Sequence, residues 1–300
     1  MTEQLDQTRR HLLILAGTAL LCPGALLHAA PNTTTVAQAQ AQLAALEQAA
    51  GGRLGVSALH TGSGARVEHR ADERFPMCST FKAMLAAAVL ARGSSEPQLL
   101  DKLVRYEAKE LVSYSPITEK HVATGMRVAE LCAATVQYSD NSAANFLMKL
   151  LGGPQAVTAY ARSIGNQVFQ LERWETELNS AIPGEVRDTT SPAATVHSLD
   201  GLLLGASLPA PQRQQLDIWM RGNTTGDQRI RAGVPAGWQV ADKTGSGAYG
   251  SVNDIGVAYP SGDASAPLVI AIYYTREQKN APINQHIITK ATRIVAAALG

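Results

Sequence analysis

Ser79 and Lys82 stand three residues apart in PMCSTFKAML, Pro76 to Leu85, inside an otherwise apolar run. On a helix such positions share a face, so the ammonium lies against the hydroxyl. A serine hydroxyl is a weak nucleophile and needs a neighbouring base. Burial lowers a lysine pKa, and a lysine neutral enough to take a proton is such a base. A helix N-terminus adds a positive field that favours a developing oxyanion. By itself, though, the pair reads first as a helix start with a capping serine and a solvated lysine.

Three further stretches carry polar residues in suggestive settings. Ser139-Asp140-Asn141, in YSDNSAANFLM, falls between two apolar-periodic runs. It reads as a turn with a helix cap, or as a second serine that relays a proton with an amide beside it to hold substrate. Lys243-Thr244-Gly245 ends an apolar strand in ADKTGSGAYG, and Ser246 follows with a backbone N–H that suits an oxyanion. In RWETELNSAIPGEVRDTTSP, Glu175 and Asn179 are four apart and can hold one water between them. Arg173 and Asp188 bracket that segment and are expected to pair, closing it as an Ω-type loop.

Each piece is weak, but Ser-x-x-Lys, Ser-Asp-Asn and Lys-Thr-Gly occur in that order, at a helix start, an inter-helix turn and a strand end. With Glu175-x-x-Leu178-Asn179 added, the chain resembles the class A serine β-lactamases over nearly all of its mature region. The likeness is to extended-spectrum enzymes of Gram-negative bacteria, chromosomal or acquired. It implies hydrolysis of the β-lactam amide of penicillins and cephalosporins through a serine acyl-enzyme, and hence antibiotic resistance. Ser79 is the implied nucleophile, with the N–H groups of Ser79 and Ser246 around the oxyanion. Ser139 passes a proton to the ring nitrogen, Glu175 with Asn179 activates the deacylating water, and Lys82 or Glu175 is the acylation base. Asn141, Lys243, Thr244, Gly245 and Ser246 bind substrate, the last four around its carboxylate.

The resemblance also implies which departures matter. Many relatives place an arginine soon after Lys-Thr-Gly; Val252 stands there, and Arg229 takes the role that some relatives give to an arginine in that stretch. Tyr114 matches an aromatic that flanks the cleft mouth. Cys78 sits where carbapenem-hydrolysing relatives often carry a disulfide, but Gly247 replaces the partner cysteine. No metal or organic cofactor is required. Two other activities share the nucleophile machinery: a D-alanyl-D-alanine peptidase and a penicillin-sensing receptor domain that stays acylated.

Elements must position these residues. VAQAQAQLAALEQAAGG reads as a helix ended by glycine, and RLGVSALHTGSGARVEHR as two strands around a turn. Helical periodicity follows over Ser79–Ala91, Val128–Tyr138, Asn141–Leu151, Pro154–Ile164, Pro192–Leu204 and Pro209–Met220. Strand patterns resume at WQVADKTG, NDIGVAYP and PLVIAIYYT, and HIITKATRIVAAALG closes as a helix. The expected fold is α+β: a five-stranded antiparallel sheet flanked by helices, plus an all-helical lobe. Residues 31–76 and 222–300 are assigned to the sheet domain and 77–221 to the helical one, with the site in the cleft between them.

The 300-residue chain is 45% hydrophobic, 17% charged and carries a net charge of +1, a composition that supports a large core. No basic run suggests a nucleic-acid partner. Residues 1–30 read as a secretory signal, with Arg9-Arg10 pointing to the twin-arginine route and cleavage near Ala29 or Ala30. A periplasmic monomer without stable membrane association is expected. Cys78 and Cys132 fall in apolar patterns and read as buried free thiols.

Overall fold

The structure, a computed structural model, describes residues 34–262 and 266–300. The signal read in residues 1–30 lies outside them. In chain order, α1 (Val36–Ala50), β1 (Arg53–His60), β2 (Arg66–His69) and β3 (Phe75–Pro76) lead to α2 (Phe81–Ser95). Short β4 (Leu103–Val104) and β5 (Met126–Arg127) precede α3 (Val128–Gln137), α4 (Asn141–Leu151) and α5 (Pro154–Ser163). Then come β6 (Thr189–Thr190), α6 (Pro192–Leu199), α7 (Ala210–Arg221) and the one-turn α8 (Ile230–Gly233). β7 (Gln239–Ser246), β8 (Val252–Tyr259), β9 (Leu268–Thr275) and α9 (His286–Leu299) complete the chain.

Local chemistry sets the helix ends. Thr35 accepts a hydrogen bond from the Gln38 N–H at 3.2 Å while the Gln38 side chain accepts one from Thr35 N–H at 2.8 Å. Gly51, at φ 64°, ends α1 in the left-handed conformation that glycine adopts without a Cβ penalty. Asp140 caps α4, accepting from the Ala143 N–H at 2.9 Å. The Asn141 amide has other partners: its Nδ2 donates to the Ser113 carbonyl at 2.9 Å and its Oδ1 accepts from Lys82 Nζ at 2.5 Å.

The five long strands form one antiparallel sheet in the order β2-β1-β9-β8-β7. Successive side chains alternate faces. Leu54, Val56, Ile270, Ile272 and Tyr274 meet α1 and α9 in one apolar cluster. Ala241, Ile255, Val257, Ala271 and Tyr273 meet Phe75 and the helices α2 and α6 in the other. Burial on both faces explains why β9, LVIAIYYT, is apolar throughout instead of alternating. The same parity turns Lys243 and Asn253 toward the helical segment, alongside Ala241 and Ile255.

Two expected helices differ in detail. The run from Ser79 opens as a 3-10 turn over Cys78–Thr80, and α2 then continues to Ser95. Pro192–Leu204 is α-helical only to Leu199 and ends in a wider π turn, with Gly205 N–H donating five residues back to the Asp200 carbonyl at 2.7 Å. α6 belongs to the stretch expected to be a separate helical lobe, yet it packs on β1 and β9.

Candidate active site

Ser79 is presented by a constrained turn. Cys78, immediately before it, has φ 45°, a left-handed conformation unusual for a residue with a Cβ. The turn is tied down on both sides. Met77 N–H donates to the Asp188 carbonyl at 2.9 Å, and the Asn253 amide donates to the carbonyls of Pro76 and Met77 at 2.9 and 3.0 Å. β7 passes so close that a Cβ at Gly245 would lie 2.7 Å from the Met77 carbonyl oxygen. The glycine of Lys-Thr-Gly is therefore a packing requirement.

Ser79 Oγ donates to Glu175 Oε1 at 3.3 Å, and Lys82 Nζ reaches the same oxygen at 2.9 Å. Lys82 is fully buried and also donates to the Ser139 carbonyl at 2.8 Å and to Asn141 Oδ1 at 2.5 Å. Burial lowers its pKa, while the Glu175 carboxylate opposes that shift. Asn179 Nδ2 donates to the second oxygen, Glu175 Oε2, at 2.5 Å. The Asn179 carbonyl oxygen, Oδ1, is buried and lacks a hydrogen-bond partner among the described residues.

Lys243, on the opposite wall, donates to Ser139 Oγ at 3.1 Å and to the Thr244 carbonyl at 2.8 Å. Its pKa is pushed well down, first by burial and then by the nearby Lys82 ammonium. Arg229 Nη2 donates to Ser246 Oγ at 2.8 Å, and its Nη1 to the Gly245 and Asn253 carbonyls at 2.8 and 2.6 Å. Val252 is buried among apolar residues of the α1/α9 face, so Arg229 is the guanidinium at the pocket wall.

Around these groups lies a cavity of about 370 Å³ lined by Ser79, Tyr114, Ser139, Asn141, Asn179, Arg229, Thr244, Gly245 and Ser246, with Thr225 added. Lys82, Glu175 and Lys243 sit just beneath this lining, each hydrogen-bonded to a member of it. All twelve residues singled out in the sequence are thus brought together. Tyr114, 60% exposed, stands at the mouth. Arg173 and Asp188 do close the loop: Arg173 Nε meets Asp188 Oδ2 at 2.5 Å, and the other carboxylate oxygen accepts from the N–H groups of Glu172 and Arg173.

Sequence reasoning missed two residues of this region. Asn145 clamps the Glu175 backbone from both sides, donating to its carbonyl at 2.9 Å and accepting from its N–H at 3.0 Å. Its signal was present, since it lies four residues after Asn141 and so one turn along the same face of α4. Thr225 shares a hydrogen bond of 2.5 Å with Thr244 Oγ1; nothing local marked it. Both cysteines among the described residues, Cys78 and Cys132, are free and buried. Cys78 Sγ lies 2.7 Å from where a Cβ on Gly247 would be, and burial pushes its thiol up to about 12.

Comparison with known proteins agrees with this geometry. Residues 38–299 match the family described as "Beta-lactamase enzyme family". The carbapenem-hydrolyzing β-lactamase KPC of Klebsiella oxytoca is 53% identical over 97% of each chain. β-Lactamase CTX-M-97 of Escherichia coli is 49% identical over 98% of each. A crystal structure of a β-lactamase from Desulfarculus baarsii superposes with a TM-score of 0.87 at 54% identity, covering 88% of this chain and 98% of that one. The chain belongs to the β-lactamase enzyme family, as a class A serine enzyme.

Proposed function

We propose that the protein hydrolyses the β-lactam amide of penicillins and cephalosporins through an acyl-enzyme on Ser79, and so confers antibiotic resistance. One observation carries the mechanism. Ser79 Oγ and Lys82 Nζ converge on one oxygen of Glu175 while Asn179 holds the other. Ser79 loses its proton into this Lys82–Glu175 pair as Oγ attacks the strained carbonyl. The Ser79 and Ser246 N–H groups hold the oxyanion, a contribution that costs about 3 kcal/mol when one such donor is removed elsewhere. Ser139, held by Lys243, then delivers its proton to the departing ring nitrogen as the C–N bond breaks and is reprotonated from the Lys82–Glu175 pair through Lys82 Nζ, 3.5 Å away. Lys243, Thr244, Ser246 and Arg229 receive the substrate carboxylate, and Asn141 and Tyr114 flank the acyl side chain.

Deacylation falls to Glu175. A water between its carboxylate and Asn179 satisfies the unpartnered Asn179 oxygen and loses a proton to Glu175 as it attacks the ester; that proton passes to Ser79 Oγ as the ester C–O bond breaks. No step needs a metal or organic cofactor. The two-lobe division at residues 76–77 and 221–222, a periplasmic monomer and loss of the signal on export complete the reading.

A chromogenic cephalosporin tests it. Many turnovers per molecule are expected; a single stoichiometric burst would instead favour the penicillin sensor or the peptidase. Glu175→Ala should slow turnover by roughly 10²–10⁴-fold and accumulate an adduct on Ser79, seen as a mass increase of the intact protein. Parental turnover in that variant would remove Glu175 from the mechanism. Carbapenem turnover is a second reading, favoured by 53% identity to an enzyme named for it; steady-state assay with a carbapenem decides it.

A further inference from the structure

A second cavity, of about 760 Å³, shares no lining residue with the cleft. Its wall includes Ala181–Val186, the outer part of the loop that carries Glu175 and Asn179. Opposite are the start of β1 and the segment following β9. Two features of its lining point to a ligand.

The first is charge. Arg74 Nη1 donates to the Val168 carbonyl at 2.8 Å and to Thr189 Oγ1 at 3.0 Å. Arg276 donates to the Tyr274 hydroxyl at 3.0 Å and to the Ala50 carbonyl at 3.1 Å. All four acceptors are neutral, and among the described residues neither guanidinium forms an ion pair. The lining carboxylates do not compensate them: Glu73 is taken by Arg53 at 2.7 Å and Glu185 by Arg187 at 2.5 Å, which leaves the exposed Glu277. A guanidinium without a carboxylate retains its capacity for a bidentate, charge-assisted pair.

The second is apolar surface. Ile182 and Val186 are 47% and 49% exposed, and both line this cavity. Large aliphatic side chains beside uncompensated guanidinium groups suit an amphipathic anion.

We propose that this cavity binds small organic anions with an apolar body, the carboxylate meeting Arg74 and Arg276 and the body lying on Ile182 and Val186. The site is wired to the catalytic loop. Thr189 Oγ1, which accepts from Arg74, donates to the Val186 carbonyl at 2.5 Å. The proposal does not depend on the chemistry assigned to the cleft, and its test reads binding alone.

The experiment is a titration of the ¹⁵N-labelled protein with 4-phenylbutyrate, followed by amide chemical shifts. Saturable shifts at residues 182–186 and 276–278 are expected, with a Kd on the order of 1 mM. Arg276→Gln and, separately, Arg74→Gln should each weaken binding about tenfold while the spectrum of the sheet stays in place. 4-Phenylbutylamine, of like shape and opposite charge, should leave those residues unmoved. The proposal is overturned if no shifts occur there up to about 20 mM, if shifts are confined to the cleft, if the amine binds as well as the acid, or if a folded arginine variant binds undiminished.

Discussion

Two buried clusters of like charge lie back to back across β7. On one face Lys243 and Lys82 flank Ser139, and burial together with mutual repulsion pushes the Lys243 pKa down. On the other, Asp242 and Asp254 are both fully buried, and burial together with the Asp242 charge pushes Asp254 well up. The same physical device thus appears twice, with opposite sign. What differs is access. The lysine cluster underlies a cavity of about 370 Å³, with Glu175 and Ser79 reaching into the same network. Lys82 and Lys243 hydrogen-bond to Asn141 and Ser139 of that lining, whereas among the described residues neither aspartate side chain bonds to any of it. Asp242 meets Arg231 at 2.7 Å, and Asp254 accepts from the Ile230 N–H at 3.0 Å, holding the residue next to Arg229. A perturbed pKa therefore marks chemistry only where a reactant can reach it; where none can, it marks a joint in the scaffold.

The sharpest way to break this contrast is Ser79→Ala. It should cut turnover by about 10⁴-fold or more with little change in thermal midpoint; surviving turnover would place the nucleophile elsewhere. Arg231→Met should do the reverse. It leaves the Asp242 carboxylate buried without its cation and should cost about 3 kcal/mol, read as a lower denaturation midpoint, with kcat near the parental value. If kcat fell while the midpoint held, the aspartate cluster would belong to the chemistry.

Asp254→Asn sharpens the comparison through pH. Because the folded state raises the Asp254 pKa, its contribution to stability is present below the unfolded value and is lost as pH rises through the folded one. Asparagine keeps the acceptor for Ile230 N–H and cannot ionise. The variant should gain on the parent as pH increases, and midpoints across a pH series should diverge. Parallel curves would show that Asp254 is ionised throughout.

The smallest expected effect concerns Cys78. Although adjacent to the nucleophile, its thiol is buried, pushed up to about 12 by burial and by the Glu175 charge, and should not react with a disulfide reagent until the protein unfolds. Rapid modification of the native protein would mean that the floor of the site opens.

Much of the site was legible because its pieces are short and local. Ser-x-x-Lys, Ser-Asp-Asn, Lys-Thr-Gly and Glu-x-x-Leu-Asn each place side chains by one helical turn, one inter-helix corner or one strand end. The strands were equally clear, since β1, β7, β8 and β9 are apolar runs bounded by turn residues. Thr225 was not legible, because its partner Thr244 is nineteen residues away and the bond depends on how two elements approach. The pairing of β3 with β6, which joins Phe75 to Thr190, was hidden for the same reason. Nor does any local pattern announce that Cys78 adopts a left-handed conformation.

The sequence by itself determined the order of the long strands and main helices, the apolar runs that are buried on both sheet faces, and the residue types of the site. These depend on neighbours within a few positions, where helical and extended periodicities decide which side chains share a face. Only the tertiary structure decided that Ser79, Lys82 and Asn179 share one carboxylate, that Arg229 stands at the pocket wall while Val252 does not, and that the buried lysine pair hydrogen-bonds to the cavity lining while the buried aspartate pair does not. Those outcomes depend on desolvation and on distances of a few ångströms between segments far apart in the chain, and neither quantity exists until the two faces of the sheet are covered.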